Sequence, residues 1–302
     1  MRRTLLAVAA GLGAAAFTCL AGLGSLAVVL ALGACAGAEA NALAPAPAIR
    51  PAAAPVEVGL NPGESMAFEV RIAGLVAGEA QLAVGQLGAY QGHRAVVVKS
   101  RAATAGAAAL IRHIVDEATT VIDLDTGRPL ALDTVVEQGD TRSTASAKFT
   151  DNVADITYVR SNEDQPHHLR IDFGKGAAAA SGIQIHDAHS AMAQLRGWRP
   201  AQGTRRTVFV VGGRRLWRID VTYAGQDTIG SAIGNRRAIR LSGESYRARP
   251  DFSPETPRPT RTFTVWLSDD ADRVPLKVAA RTELGDVVMN LTEYNRNAAP
   301  AE

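Results

Sequence analysis

The feature that most limits the fold of this chain is an alternation of apolar and polar residues with a period of two. It recurs throughout residues 61–294. Phe68, Val70 and Ile72 alternate with Glu69 and Arg71, and Trp217, Ile219, Val221 and Tyr223 alternate with Arg218, Asp220 and Thr222. Phe263, Val265 and Leu267 are spaced by Thr264 and Trp266. Leu276, Val278 and Ala280 flank Lys277 and precede Arg281, and Val287, Met289 and Leu291 are spaced by Val288 and Asn290. Successive side chains of a strand point to opposite faces, so this spacing makes strands with one dry and one wet face. Such strands belong to antiparallel sheets, whereas parallel α/β strands read as continuous apolar runs separated by helices.

The punctuation agrees. Gly212-Gly213 suits a primed hairpin turn. Asp123–Pro129 is rich in turn formers, and Ser268–Arg273 links two strand patterns. Two short helices interrupt the strands. One spans about Ala105–His113, with Ala107, Leu110, Ile111 and Ile114 on one side. The other starts at Asp187 as N-cap, runs to Arg196 and stops at Gly197, with Ala188, Ala191, Met192 and Leu195 on its apolar face. The expected class is mainly β: an antiparallel curved sheet or incomplete barrel of roughly a dozen strands, with two short helices plugging or flanking it.

Ahead of the strands, Arg2 and Arg3 open an otherwise uncharged stretch that runs to Ala34 and ends in Leu32-Gly33-Ala34-Cys35. A basic start, an apolar centre and small residues before a cut make a secretory signal, and the last four residues read as a lipobox. Three readings stay open: a lipoprotein signal (1–34) cut before Cys35, cleavage at Ala38-Glu39-Ala40 without lipidation, or an uncut anchor. The Arg pair alone does not mark twin-arginine export, since Sec signals also start basic. Cysteine usage favours the first. The chain has two cysteines, Cys19 inside the leader and Cys35 at its end, so the exported part keeps one thiol and can form no internal disulfide. Thioether lipidation of Cys35 removes that thiol. Residues 35–60 form an Ala/Pro-rich tether, semi-extended at about 3 Å per residue. Residues 61–295 form the β-rich domain, with two possible halves meeting near 174–185, and 296–302 form a flexible tail.

Without residues 1–34 the chain loses two arginines and no acid, so its basic and acidic residues balance. Nucleic-acid binding rests on excess positive charge, and that partner class is excluded. The Arg pairs at 205–206, 214–215 and 236–237 reflect a chain that uses Arg almost to the exclusion of Lys. They serve as ordinary surface charge.

Several short stretches together resemble the exported bacterial family known as domain of unknown function 3108. They are Pro62-Gly63-Glu64 with its alternating strand, Ala77-Gly78-Glu79-Ala80, Asp187-Ala188-His189-Ser190-Ala191 through Leu195-Arg196, Val265–Asp270, Arg273–Lys277, and Gly285 before the last strand. The resemblance spans about residues 61–294. It implies a β-rich, often lipid-anchored envelope domain and carries over no catalytic residues. Where such a lipoprotein has Ala at the position of Ala36, the resemblance is compatible with an outer-membrane location facing the periplasm.

Catalytic chemistry finds little footing. His186-Asp187-Ala188-His189 is the one metal-like cluster, but its spacing lacks the Glu and the i,i+4 histidines of a metalloprotease helix. It reads as an Asp187 N-cap with two surface histidines. His167 and His168 are neighbours on a strand and point apart. Asp269, Asp270 and Asp272 miss the calcium-loop pattern and read as an acidic turn. No G-x-S-x-G elbow is present, Ser190 and Ser245 show no base, and Glu64, Glu79, Glu117 and Asp220 are scattered. Asn290-Leu291-Thr292 matches a glycosylation sequon inside a strand pattern. No cofactor is expected. The remaining candidate is the apolar sheet face, which packs on itself or lines a ligand cavity. Aromatic content is 5%, and the abundance of alanine leaves room for a cavity. The expected function is a non-enzymatic envelope lipoprotein, attached to the membrane through Cys35, whose β domain binds a lipid or other apolar ligand. An interaction module for an envelope protein is the alternative, and an enzyme with a site assembled only in three dimensions is the third.

Overall fold

The structure, a computed structural model, describes residues 58–213, 215–282 and 285–296. The leader, Cys35 and most of the tether lie outside the described residues. One sheet of sixteen strands dominates. The first half of the chain supplies β1 (Ser65–Ile72), β2 (Leu75–Val84), β3 (Gly88–Tyr90), β4 (His93–Thr104), β5 (Ile114–Asp123), β6 (Pro129–Gln138), β7 (Thr141–Phe149), β8 (Val153–Arg160) and β9 (His167–Asp172). The second half supplies β10 (Ile185–His186), β11 (Arg205–Gly212), β12 (Arg215–Ser231), β13 (Gly234–Arg247), β14 (Arg261–Ser268), β15 (Pro275–Thr282) and β16 (Gly285–Asn295).

The sheet does not close. Its order runs from β10 through β16, crosses to β1 and β2, and continues from β4 to β9, with β3 appended to β4. Neighbours are antiparallel except β10 and β11, which are parallel. The edges β9 and β10 are not hydrogen-bonded to each other, yet side chains bridge them. Leu132, Ile156, Ile171 and Phe173 from one side pack with Ile185, Phe209, Val211 and Leu216 from the other. The result is an incomplete barrel with a seam held by apolar packing.

The large alternating residues form the main core. Met66, Phe68, Val70 and Ile72 join Val221, Leu241, Val265, Leu267, Val278, Val287, Met289 and Leu291. Ala73 (φ 48°) and Gly74 (φ 84°) form the two-residue turn between β1 and β2, the left-handed conformation a primed hairpin turn requires. Gly243 lies opposite Phe263, and a Cβ there would come within 2.1 Å of the Phe263 ring. The ring covers the backbone where a side chain would otherwise pack.

The strand count exceeds the dozen read from the sequence. β7 faces inward with Ser143, Ala145, Ala147 and Phe149, small residues that give little hydropathy contrast, and β10 is only two residues long. The two expected helices are present as α1 (Gly106–Ile111) and α3 (Ala188–Gly197), and a five-residue turn of helix, α2 (Gly176–Ala180), joins the sheet edges. Helix α3 is enclosed by the sheet: every residue from His189 to Gly197 is buried. The chain enters the barrel against its end, where Gly59 N–H donates to the Ala193 carbonyl (3.1 Å). A Cβ on Gly59 would overlap Arg196.

Candidate functional site

Enclosure of α3 forces its polar side chains to find partners inside the barrel, because an unpaired buried polar group costs about 1–3 kcal/mol. Asp187 caps the helix. Its carboxylate accepts from the backbone N–H of His189 (3.1 Å) and Ser190 (3.0 Å), and the Ser190 hydroxyl closes a capping box. The same carboxylate accepts from Ser190 Oγ (2.6 Å) and Thr120 Oγ1 (2.5 Å). Because Thr120 donates to Asp187, it accepts from His189 Nδ1 (2.7 Å). That leaves His189 Nε2 to accept from Ser100 Oγ (2.8 Å). The donors Ser100, His189 and Thr120 therefore all point toward one carboxylate. His186 Nδ1 lies 3.2 Å from Ser190 Oγ.

Both histidines are buried, not on the surface as the sequence pattern implied. The local motif cannot show that β4, β5 and β11 wrap around it. Burial disfavours the imidazolium and pushes His186 down to about 4, although the charge of Asp187 pulls the other way. His189 is lowered by the same desolvation. Both rings are neutral near pH 7. Among the described residues no group of three or more His, Cys, Asp or Glu is placed to hold a metal ion.

At the N-terminus of α3 lies a pocket of about 60 Å³. One wall is the inner face of β5–β8, including Asp116, Leu132, Thr134, Ala145, Ile156 and Tyr158. The other wall is Val211, the Gly212-Gly213 turn and Asp187-Ala188-His189. The two walls come from the two halves of the chain and face each other beside the seam. Tyr158 donates to Ser143 Oγ (3.2 Å) at the polar side. Burial, with Glu117 next to it, pushes the Asp116 carboxyl up to about 6. Ser100 Oγ is engaged with His189 and is not among the residues that line this pocket.

The other residues singled out from the sequence are dispersed. Glu64 is buried in a bidentate pair with Arg196, at 2.5 and 2.9 Å. Glu79 is exposed and Glu117 pairs with Arg101 (3.4 Å) on the outer face. Asp220 pairs with Arg218 (3.1 Å). His167 bonds Glu163 and His168 bonds Thr157, on separate faces of β9. Ser245 is buried on β13, away from the pocket. The acidic turn is tied to cations and to its own backbone. Asp269 meets Arg237 (3.3 Å) and Arg273 (3.5 Å), and Asp270 accepts from Ser268 Oγ and the N–H groups of Asp272 and Arg273. Asp116, Thr120 and Ser100 went unnoticed in the sequence. Asp116 and Thr120 share the strand phase of buried Ile114 and Ile122, and a carboxylate in phase with core residues is the signal that marks such a site.

A family model described as a protein of unknown function, DUF3108, matches residues 67–292. The chain belongs to this family. No curated protein matches the sequence. Among solved structures, this DUF3108 domain is similar to a β-barrel-like protein of the DUF1849 family from Brucella abortus, at 12% identity and TM-score 0.48, covering 77% of this chain and 96% of that one. It is also similar to a protein with a YmcC-like fold from Bacteroides fragilis, at 9% identity and TM-score 0.33, covering 80% and 100%. A third is the lipoprotein LppX of Mycobacterium tuberculosis, at 13% identity and TM-score 0.24, covering 79% and 88%.

Proposed function

We propose that this DUF3108 protein is a non-enzymatic lipoprotein of the cell envelope, held at the outer membrane through Cys35 and facing the periplasm. Its barrel binds a small apolar or amphiphilic ligand. The observation that carries this reading is the pocket itself. It is walled mainly by apolar side chains, it lies between the two halves of the chain, and it adjoins the break in the sheet between β9 and β10. At about 60 Å³ it takes a short apolar group. Pockets for drug-sized ligands run from about 300 Å³ upward, so a ligand of that size or larger requires the apolar seam between β9 and β10 to part. Native mass spectrometry of residues 58–302 purified from an envelope extract tests this. A bound apolar molecule is expected, and filling the pocket with Ala145→Trp removes it. An empty barrel that also fails to bind short apolar probes in solution would refute the reading.

A protein-docking role has its own support. Leu75 and Val76 on β2 and Leu110 and Ile111 on α1 are exposed, Leu110 at 91%, and α1 packs against β2 at that end of the barrel. Crosslinking from Leu110→Cys in the native envelope distinguishes the two. A single partner protein, recovered without a co-purifying ligand, would favour docking.

A further inference from the structure

The pocket wall has a chemical bias that the apolar-ligand reading leaves unused. Its polar groups are acceptor-rich: the carboxylates of Asp116 and Asp187, and the hydroxyls of Thr134, Ser143 and Tyr158. No described lysine or arginine lines it. His189 does not supply a positive charge either, because it is neutral and both ring nitrogens are committed, to Thr120 and to Ser100. The two carboxylates differ. Asp187 accepts four hydrogen bonds and is satisfied by the protein itself. Asp116 faces inward from β5 between Ile114 and Ala118, half-buried in the pocket wall, and the causes that shift its carboxyl include no hydrogen bond and no cation among the described residues. Its neighbour Glu117 points outward to Arg101.

A carboxylate half-withdrawn from water and without a cation beside it gains when a positively charged group pairs with it. Resting on the reading that this pocket takes a small amphiphile, we propose that the ligand carries a positively charged nitrogen, an alkylammonium or guanidinium head. That head pairs with Asp116 while the ligand's apolar part lies against Leu132, Ala145 and Ile156. The hydroxyls of Thr134 and Ser143 accept the remaining N–H groups. An anionic head, such as a carboxylate or phosphate, meets like charge there and is rejected, as like-charge contacts at a desolvated site are strongly unfavourable.

Isothermal titration of the domain with n-hexylammonium, hexan-1-ol and hexanoate at pH 7.5 and low salt tests this, because the three share a chain and differ in the head. The ammonium is expected to bind at least tenfold more tightly than the alcohol, with hexanoate weakest. Asp116→Asn should cut ammonium binding about tenfold and hexan-1-ol binding much less, with a thermal melt confirming that the variant is folded. If the three probes bind alike, or if Asp116→Asn leaves the ammonium unaffected, the charge assignment is overturned while the apolar-ligand reading stands. If no probe binds, both are overturned.

Discussion

Replacing Glu64 tests how the central helix is held. Glu64 and Arg196 are the most enclosed ion pair described, at 0% and 1% side-chain exposure. Arg196 Nη1 donates to Glu64 Oε1 and Nη2 to Oε2, while Nη2 and Nε also donate to the carbonyls of Asp272 and Arg273 at 2.9 and 3.1 Å. One guanidinium thus ties α3 to the start of β1 and to the β14–β15 turn. Glu64→Gln removes the countercharge and leaves a buried cation. Breaking a buried pair in this way costs about 3–5 kcal/mol. For a domain of this size each kcal/mol shifts the melting temperature by about 2–4 °C, so a fall of roughly 6–20 °C is expected by circular dichroism. Glu64→Leu combined with Arg196→Met removes both charges and should recover most of the loss. Two carbonyls lose their donor, but both belong to half-buried residues, so the remaining deficit should total about 1–3 kcal/mol and not that amount for each. A single variant that melts within about 2 °C of the parent would refute the reasoning, as would a double variant no better than the single.

Three further outcomes follow from the same physics. His186 has a folded-state pKa of about 4 against an ordinary 6.5, so between those values the unfolded chain binds a proton that the folded chain does not. Stability is therefore full above about pH 6.5 and falls as pH drops toward 4, by roughly 3 kcal/mol from this residue; urea midpoints measured across that range should show the fall, and His186→Asn should flatten it. Asp116 runs the other way, since its raised folded pKa makes the ionised carboxylate a burden at neutral pH. That shift is worth roughly 3 kcal/mol at most, so Asp116→Asn should raise the melting temperature at pH 7.5 by up to about 6–12 °C and change it little near pH 4, and an unchanged pH 7.5 melt would contradict that. Gly243→Ala drives a methyl into the Phe263 ring and should cost about 1–3 kcal/mol; Gly243→Ala with Phe263→Leu should be milder than the sum of the two singles in chemical denaturation.

Much of the barrel is legible in the sequence because its core is built from large residues at strict two-residue spacing. β1, β12, β14, β15 and β16 each show this, and so do the cap at Asp187 and the helix that follows. What escapes notice depends on residues far apart in the chain. β7 packs through Ser143 and Ala145, whose inward phase carries almost no hydropathy contrast. The histidines read as surface residues because His189, Ser190, Gln194 and Arg196 give α3 a polar face. Only the enclosing sheet shows that this face is internal. Its partners Thr120 and Ser100 come from strands 69 and 89 residues away from His189, a relation no local pattern encodes. Asp116 was within reach, since a carboxylate in step with Ile114 and Ile122 conflicts with its surroundings unless the site uses it.

The pairing of β1 with β16 has a consequence for how the molecule can be handled. Ser65 sits opposite Asn295, so the stretch leading back toward the tether and the stretch leading to the C-terminus leave the barrel side by side. Both stretches lie at the opposite end of β1 from the β1–β2 turn. The same adjacency makes the chain suited to circular permutation, which is tolerated where termini lie close together. A short linker from the end of β16 to the start of β1, with new ends cut in the α2 connection between β9 and β10, would put the break at the seam, where those two strands are not paired with each other.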